Sequence, residues 1–193
     1  YDDRMLFENA YDLLSGVWLG SYDAYTLAKG IGYPLFLVLA KKLCLPYSVL
    51  LALLQAVGAW LFVRALSVRW KNPYGQTLLY LLLLFSPISL TQLVTQRLYR
   101  MAIVPGMVLV VFSGMIGLTL RKELPLKKQL PWAVLTGVAL AFFWQIREDS
   151  VWILPFVAVM TVWNVGYVIL ALHKKRTGRQ LLLQCFILLL PIL

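Results

Sequence analysis

Two acids stand side by side at Asp2-Asp3, and a second acidic pair, Glu148-Asp149, follows Arg147 directly. A carboxylate at such a place can cap a helix by accepting backbone N–H bonds. It can also act as a general base, with the pair able to ligate a divalent metal. Both readings stand at Asp2 and Asp3. An N-cap accounts for one of the two acids, and no Glu or Gln follows either of them at the capping-box position. Arg147-Glu148-Asp149-Ser150 joins two apolar runs. It reads either as a helix boundary with Asp149 or Ser150 as N-cap, or as an ionic cluster at the mouth of a helix bundle. Arg97 and Arg100, in Gln96-Arg97-Leu98-Tyr99-Arg100, either snorkel to an interface or pair an anion, since guanidinium matches phosphate bidentately. Lys29 opens Lys29-Gly30-Ile31-Gly32-Tyr33-Pro34, where the glycines allow the backbone to come close to a ligand. Lys41-Lys42 reads as a headgroup-facing pair. The lone histidine, His173, has no partner histidine or cysteine nearby in sequence, and Cys44 and Cys185 form neither a disulfide framework nor a metal spacing. A Ser-His-Asp set, a Walker loop or a Gly-x-Gly-x-x-Gly cannot be argued from this layout.

The elements that must hold these residues are membrane helices. The chain has 193 residues, 61% of them hydrophobic and 13% charged, with mean hydropathy +0.79. This excludes a disordered chain, a coiled coil and a nucleic-acid module, and argues strongly against a soluble domain. A spanning helix needs about 20 apolar residues. Uncharged runs of that order cover 43–63, 72–96, 101–120, 129–146 and 150–172, and another starts at Gln180. Residues 43–193 are therefore expected to form a bundle of about five complete spans and one truncated span. Residues 1–42 differ. Leu6, Ala10, Leu13, Leu14 and Val17 make an apolar stripe opposite Glu8, Asn9 and Asp12, and Gly16 follows as a stop. That pattern predicts an amphipathic helix on the membrane surface. The apolar stretch 30–40 is too short to span comfortably and reads as interfacial or as the start of a tilted span.

If each run spans once, the basic residues divide between two faces. Arg4, Lys29, Lys41, Lys42, Arg97, Arg100 and Arg147 fall on one face. The other holds eleven: Arg64, Arg69, Lys71, Arg121, Lys122, Lys127, Lys128, Lys174, Lys175, Arg176 and Arg179. The positive-inside rule places the richer face in the cytoplasm. The net charge of +10 then marks cytoplasmic loops and not a polyanion partner. Asp2, Asp3, Lys29, Arg97, Arg100, Arg147, Glu148 and Asp149 all fall on the outer face.

Asp2-Asp3, a surface helix ending near Gly16, and then Lys29-Gly30-Ile31-Gly32-Tyr33-Pro34-Leu35-Phe36 resemble the N-terminal half of a GT-C glycosyltransferase. The chain is similar to bacterial members of the dolichyl-phosphate-mannose protein mannosyltransferase and aminoarabinose transferase group. In that group an outer loop carries an Asp-Glu pair, amphipathic juxtamembrane helices and a Lys-Pro-Pro-Leu stretch. Asp2 falls on the Asp of the pair, Asp3 on its Glu and Lys29 on the later Lys. Gly30-Ile31 stands where the group has Pro-Pro. The resemblance covers residues 1–45 by motif and 46–172 by hydropathy alone.

It implies an all-α polytopic transmembrane bundle of GT-C type, the N-terminal fragment of a longer chain, in a bacterial plasma membrane. It further implies transfer of a sugar from a polyprenyl-phosphate donor to a lipid, glycan or protein acceptor at the extracytoplasmic face. Asp2 and Asp3 would be catalytic and would hold a divalent metal if one is used. Lys29, Arg97, Arg100, Arg147, Glu148 and Asp149 are the candidates for donor and phosphate binding on the topology argument. Two other classes stay open: a transporter or flippase for an anionic lipid, which would need broken helices or charges near mid-bilayer, and a non-catalytic scaffold subunit.

Overall fold

A computed structural model describes residues 2–18, 30–90, 100–146, 148–172 and 185, with backbone alone at 2, 3, 89, 148–150, 171 and 172. Among these the regular elements are all helical. In chain order they are α1 (Asp2–Ser15), α2 (Gly32–Lys42), α3 (Tyr47–Leu66), α4 (Pro73–Leu84) and the short α5 (Pro87–Leu90). A 3₁₀ turn (Arg100–Ile103) then leads into α6 (Val104–Leu120), followed by α7 (Leu126–Trp144), a second 3₁₀ segment (Glu148–Ile153) and α8 (Leu154–Leu172). Three stretches are long and apolar enough to cross a membrane: Tyr47–Leu66, Arg100–Leu120 and Val151–Leu170. They support an integral membrane protein. The run beginning at Gln180 lies outside the described residues except for Cys185.

α6 is the centre of the bundle, because its glycines let neighbours approach. A Cβ on Gly106 would stand 2.8 Å from Leu54 Cγ of α3, and one on Gly58 of α3 would stand 3.0 Å from the Gly106 carbonyl oxygen. Gly114 and Gly117 do the same for Thr136 and Trp132 of α7. Small residues permit this close packing where hydrocarbon surrounds the helices and the hydrophobic effect cannot press them together. Matching Gly58 with Gly106, and Ala65 with Arg121, makes α3 and α6 parallel. Pairing Gly117 with Trp132 and Gly114 with Thr136 makes α7 antiparallel to α6. α8 is parallel to α6: the rings of Phe112 and Phe156 stack 4.3 Å apart, and Asn164 Nδ2 donates to Thr119 Oγ1 at 2.9 Å. The bundle therefore has two ends. One carries Arg64 and the turn 121–125, the other Tyr47, Arg100 and the turn 145–153. This is the grouping that the charge split predicts for these segments.

Two expectations change. The apolar run 72–96 does not continue as one helix: α4 stops after 12 residues, about 18 Å along its axis. Pro87 lacks the N–H that would bond to the Leu83 carbonyl in a continuing helix. Gln55 Nε2, from the middle of α3, donates to that carbonyl at 2.8 Å instead. The stripe on α1 is also divided. Leu6 and Ala10 are buried, with Leu6 in the same apolar cluster as Tyr33 and Phe36 of α2, while Leu14 and Val17 are exposed beside Phe7, Tyr11 and Trp18. Half the stripe thus binds α1 to the protein, and a second, largely aromatic stripe faces outward. Gly16 stops the helix as expected, at φ +83°, with the Val17 N–H reaching back to the Asp12 carbonyl.

Candidate functional site

The glycines after Lys29 set the geometry at the Tyr47 end. The Gly32 N–H donates to the Gln145 carbonyl at 2.9 Å, and a Cβ on Gly30 would run into that same oxygen. The freedom of this turn is spent on the backbone at the end of α7, which corrects the expectation that it approaches a ligand. Behind it Tyr33 is fully buried, and its hydroxyl donates to the Tyr47 hydroxyl at 3.3 Å. Leu6, Tyr33, Phe36, Phe143, Ile146 and Ile153 belong to one buried cluster, and Trp152 meets Phe143 edge-on at 6.1 Å. This cluster draws α1, α2 and the 145–153 turn to one end of the bundle.

The candidate residues are placed as follows. Asp2 and Asp3 form the first turn of α1, where an acid is favoured by the helix dipole. Glu148 and Asp149 open the second 3₁₀ segment. Arg100 opens the first one and is half-buried, with its Nη1 shielded from solvent. Lys29, Arg97, Arg147 and His173 lie outside the described residues. The structure thus gathers the segments holding Asp2-Asp3, Gly30-Gly32, Glu148-Asp149 and Arg100 at one end. Among the described residues, no three of His, Cys, Asp and Glu come together as metal ligands. The acidic pair alone is a poor fit to a divalent ion that takes six or more oxygens, and no step below runs through a metal.

The opposite end is built for structure. Arg121 is 7% exposed; its guanidinium donates to the carbonyls of Arg64, Ala65 and Gly117 at 2.8, 3.1 and 3.2 Å and lies 4.3 Å from the centre of the Trp132 ring. It satisfies acceptors at the C-terminal end of α3 that the helix itself leaves open. Burial, and then Arg64 beside it, hold this guanidinium below its ordinary pKa. Lys122 Nζ lies 3.7 Å from the centre of the Tyr167 ring; burial lowers its pKa, and Glu123 opposes that. The Tyr167 hydroxyl donates to Glu123 Oε1. Charge counting treats Arg121 as one loop cation among many, and no spacing separates it from Lys122. Gln55 carries a readable signal, a lone amide within an apolar run.

No protein family, curated protein or solved structure matches this chain.

Proposed function

We propose that the chain is part of an integral-membrane glycosyltransferase of GT-C type, moving a sugar from a polyprenyl-phosphate donor to a hydroxyl or amine of a lipid, glycan or protein. The observation that supports this most is the Gly30–Gly32 contact with Gln145. It ties the motif-bearing first 42 residues to the turn that precedes Arg147-Glu148-Asp149, at the end where Arg100 also lies. General base, phosphate-binding cations and acceptor must meet at one membrane surface for this reaction, and that contact links the segments that would carry them.

In the proposed reaction Asp2, with Asp3 as helper, removes the acceptor's proton as its oxygen or nitrogen attacks the anomeric carbon. The bond from that carbon to the phosphate oxygen breaks, and the polyprenyl phosphate leaves with the electron pair. Lys29, Arg97, Arg100 and Arg147 offset the charge that develops on it, with Glu148 and Asp149 beside them in the donor site. By the positive-inside rule the reaction lies on the extracytoplasmic side of a bacterial plasma membrane.

The test replaces Asp2 and Asp3 by Asn in the full-length protein. Asn is nearly isosteric and still accepts an N-cap bond. A base predicts turnover lower by roughly 10²–10⁴ with donor binding kept. An N-cap role predicts near-normal turnover and at most about 1 kcal/mol of lost stability. Wild-type transfer by the double variant would exclude this site.

The break of α4 within the bundle favours a second reading, a transporter or flippase for an anionic lipid, since transporters place interrupted helices near mid-bilayer. Lipid scrambling by the purified protein in vesicles, without sugar transfer, would select it.

A further inference from the structure

The interruption of α4 leaves a gap in the wall of the bundle. There, a cleft of about 260 Å³ lies between α3, the α4–α5 break and the start of α6. Its wall is apolar apart from Ser48 and Gln55, with Leu51, Leu54, Leu84 and Pro105 inside. The Gln55 amide nitrogen is already engaged by the Leu83 carbonyl, so the cleft offers little polar recognition. Ala52, Phe85 and Leu90 also line it and are themselves exposed, so it opens sideways, through the flank of the bundle and not through an end. Ser48 and Gln55 are seven residues apart on α3, which makes the cleft about 10 Å deep along that helix. It is smaller than the roughly 300–1,000 Å³ that encloses a drug-sized molecule, a volume suited to one slender chain.

We propose that this cleft binds a single acyl chain of a membrane phospholipid. The flank of α3 around it, with Leu53, Val57 and Trp60 exposed, meets hydrocarbon in a chain whose three long apolar helices span the bilayer. An apolar recess opening into hydrocarbon is filled by the species at hand, because an empty one forfeits the contacts of its lining. The proposal holds whether or not the chain transfers sugar.

The test uses the full-length protein in phosphatidylcholine vesicles containing a small fraction of phosphatidylcholine with a diazirine on one acyl chain. After photolysis, label should concentrate on Leu51, Ala52, Leu84 and Leu90, at least tenfold above lipid-facing Val57 and Val162. Ala52→Trp, which fills the mouth, should remove that excess; Leu53→Trp, on the same helix but outside the cleft, should leave it. Should Ala52→Trp fail to fold, the wild-type labelling pattern decides alone. Label spread evenly over all lipid-facing residues would overturn the proposal. So would loss of the cleft label on adding a few equivalents of polyprenyl phosphate, which would assign the cleft to that lipid.

Discussion

Gln55 Nε2 donates to the carbonyl oxygen of Leu83 at 2.8 Å, the acceptor that Pro87 leaves without its helical donor. A side chain of one helix thus stabilises the premature end of another, where few other donors can reach. Replacing Gln55 by Met keeps the volume and removes the donor. A buried carbonyl left unsatisfied costs about 1–3 kcal/mol. Unfolding of Gln55→Met in detergent should show a loss of that size. A change below about 0.5 kcal/mol would mean that another group or lipid satisfies Leu83.

This pair also marks how far the sequence could be read. Apolar runs bounded by charge gave α3, α6 and α8 nearly in full, because inserting a charge in hydrocarbon is so costly that boundaries are sharp. Composition gives no such penalty for an interruption within a run, so 72–96 read as a single span despite Pro87. Gly16 was legible as a helix stop, since a left-handed residue there is a local requirement. What Gly30 and Gly32 pack against was not: contact with Gln145 depends on residues more than a hundred positions away. The buried role of Arg121 was hidden for the same reason.

α2 ends in a left-handed residue that is not glycine. Cys44 has φ 54°, its N–H donates to the Lys41 carbonyl, and the Leu45 N–H donates to the Ala40 carbonyl. This is a Schellman ending with a side chain where glycine is usual. Cys44 is exposed, so little packing depends on it. Cys44→Gly should stabilise the protein by about 0.5–1 kcal/mol, less than the full left-handed penalty because glycine also frees the unfolded chain. Cys44→Ala keeps the Cβ and should not. Equal midpoints for the two variants would refute the strain argument.

Gly30→Ala tests the junction between the first 42 residues and α7. The added methyl meets the Gln145 carbonyl oxygen, which is backbone and cannot rotate away. Overpacking of this kind costs about 1–3 kcal/mol. The loss should be local: faster proteolysis between residues 18 and 30, with the unfolding of the α3–α6 core little changed. Gly166→Ala is the control, since nothing lies near a Cβ there. Unaltered proteolysis of Gly30→Ala would show that the junction does not hold the two parts together.

Arg100 separates phosphate recognition from snorkelling. It begins the 3₁₀ turn before α6, at the end of the bundle that also holds Gln145 and Tyr47, and it is half-buried with Nη1 shielded. A snorkelling side chain needs only to bring its charge to the interface. Lys does that as well as Arg, and Gln would cost some stability without touching ligand affinity. A guanidinium holding phosphate supplies a charge-assisted contact of roughly 1.5–3 kcal/mol. Arg100→Gln should then weaken binding of a polyprenyl-phosphate sugar about 10- to 150-fold. Arg100→Lys should fall between the two, because it keeps the charge and loses the fork. Titration calorimetry of the three proteins with one donor in the same detergent reads this directly, and unchanged affinity in Arg100→Gln would remove Arg100 from the donor site.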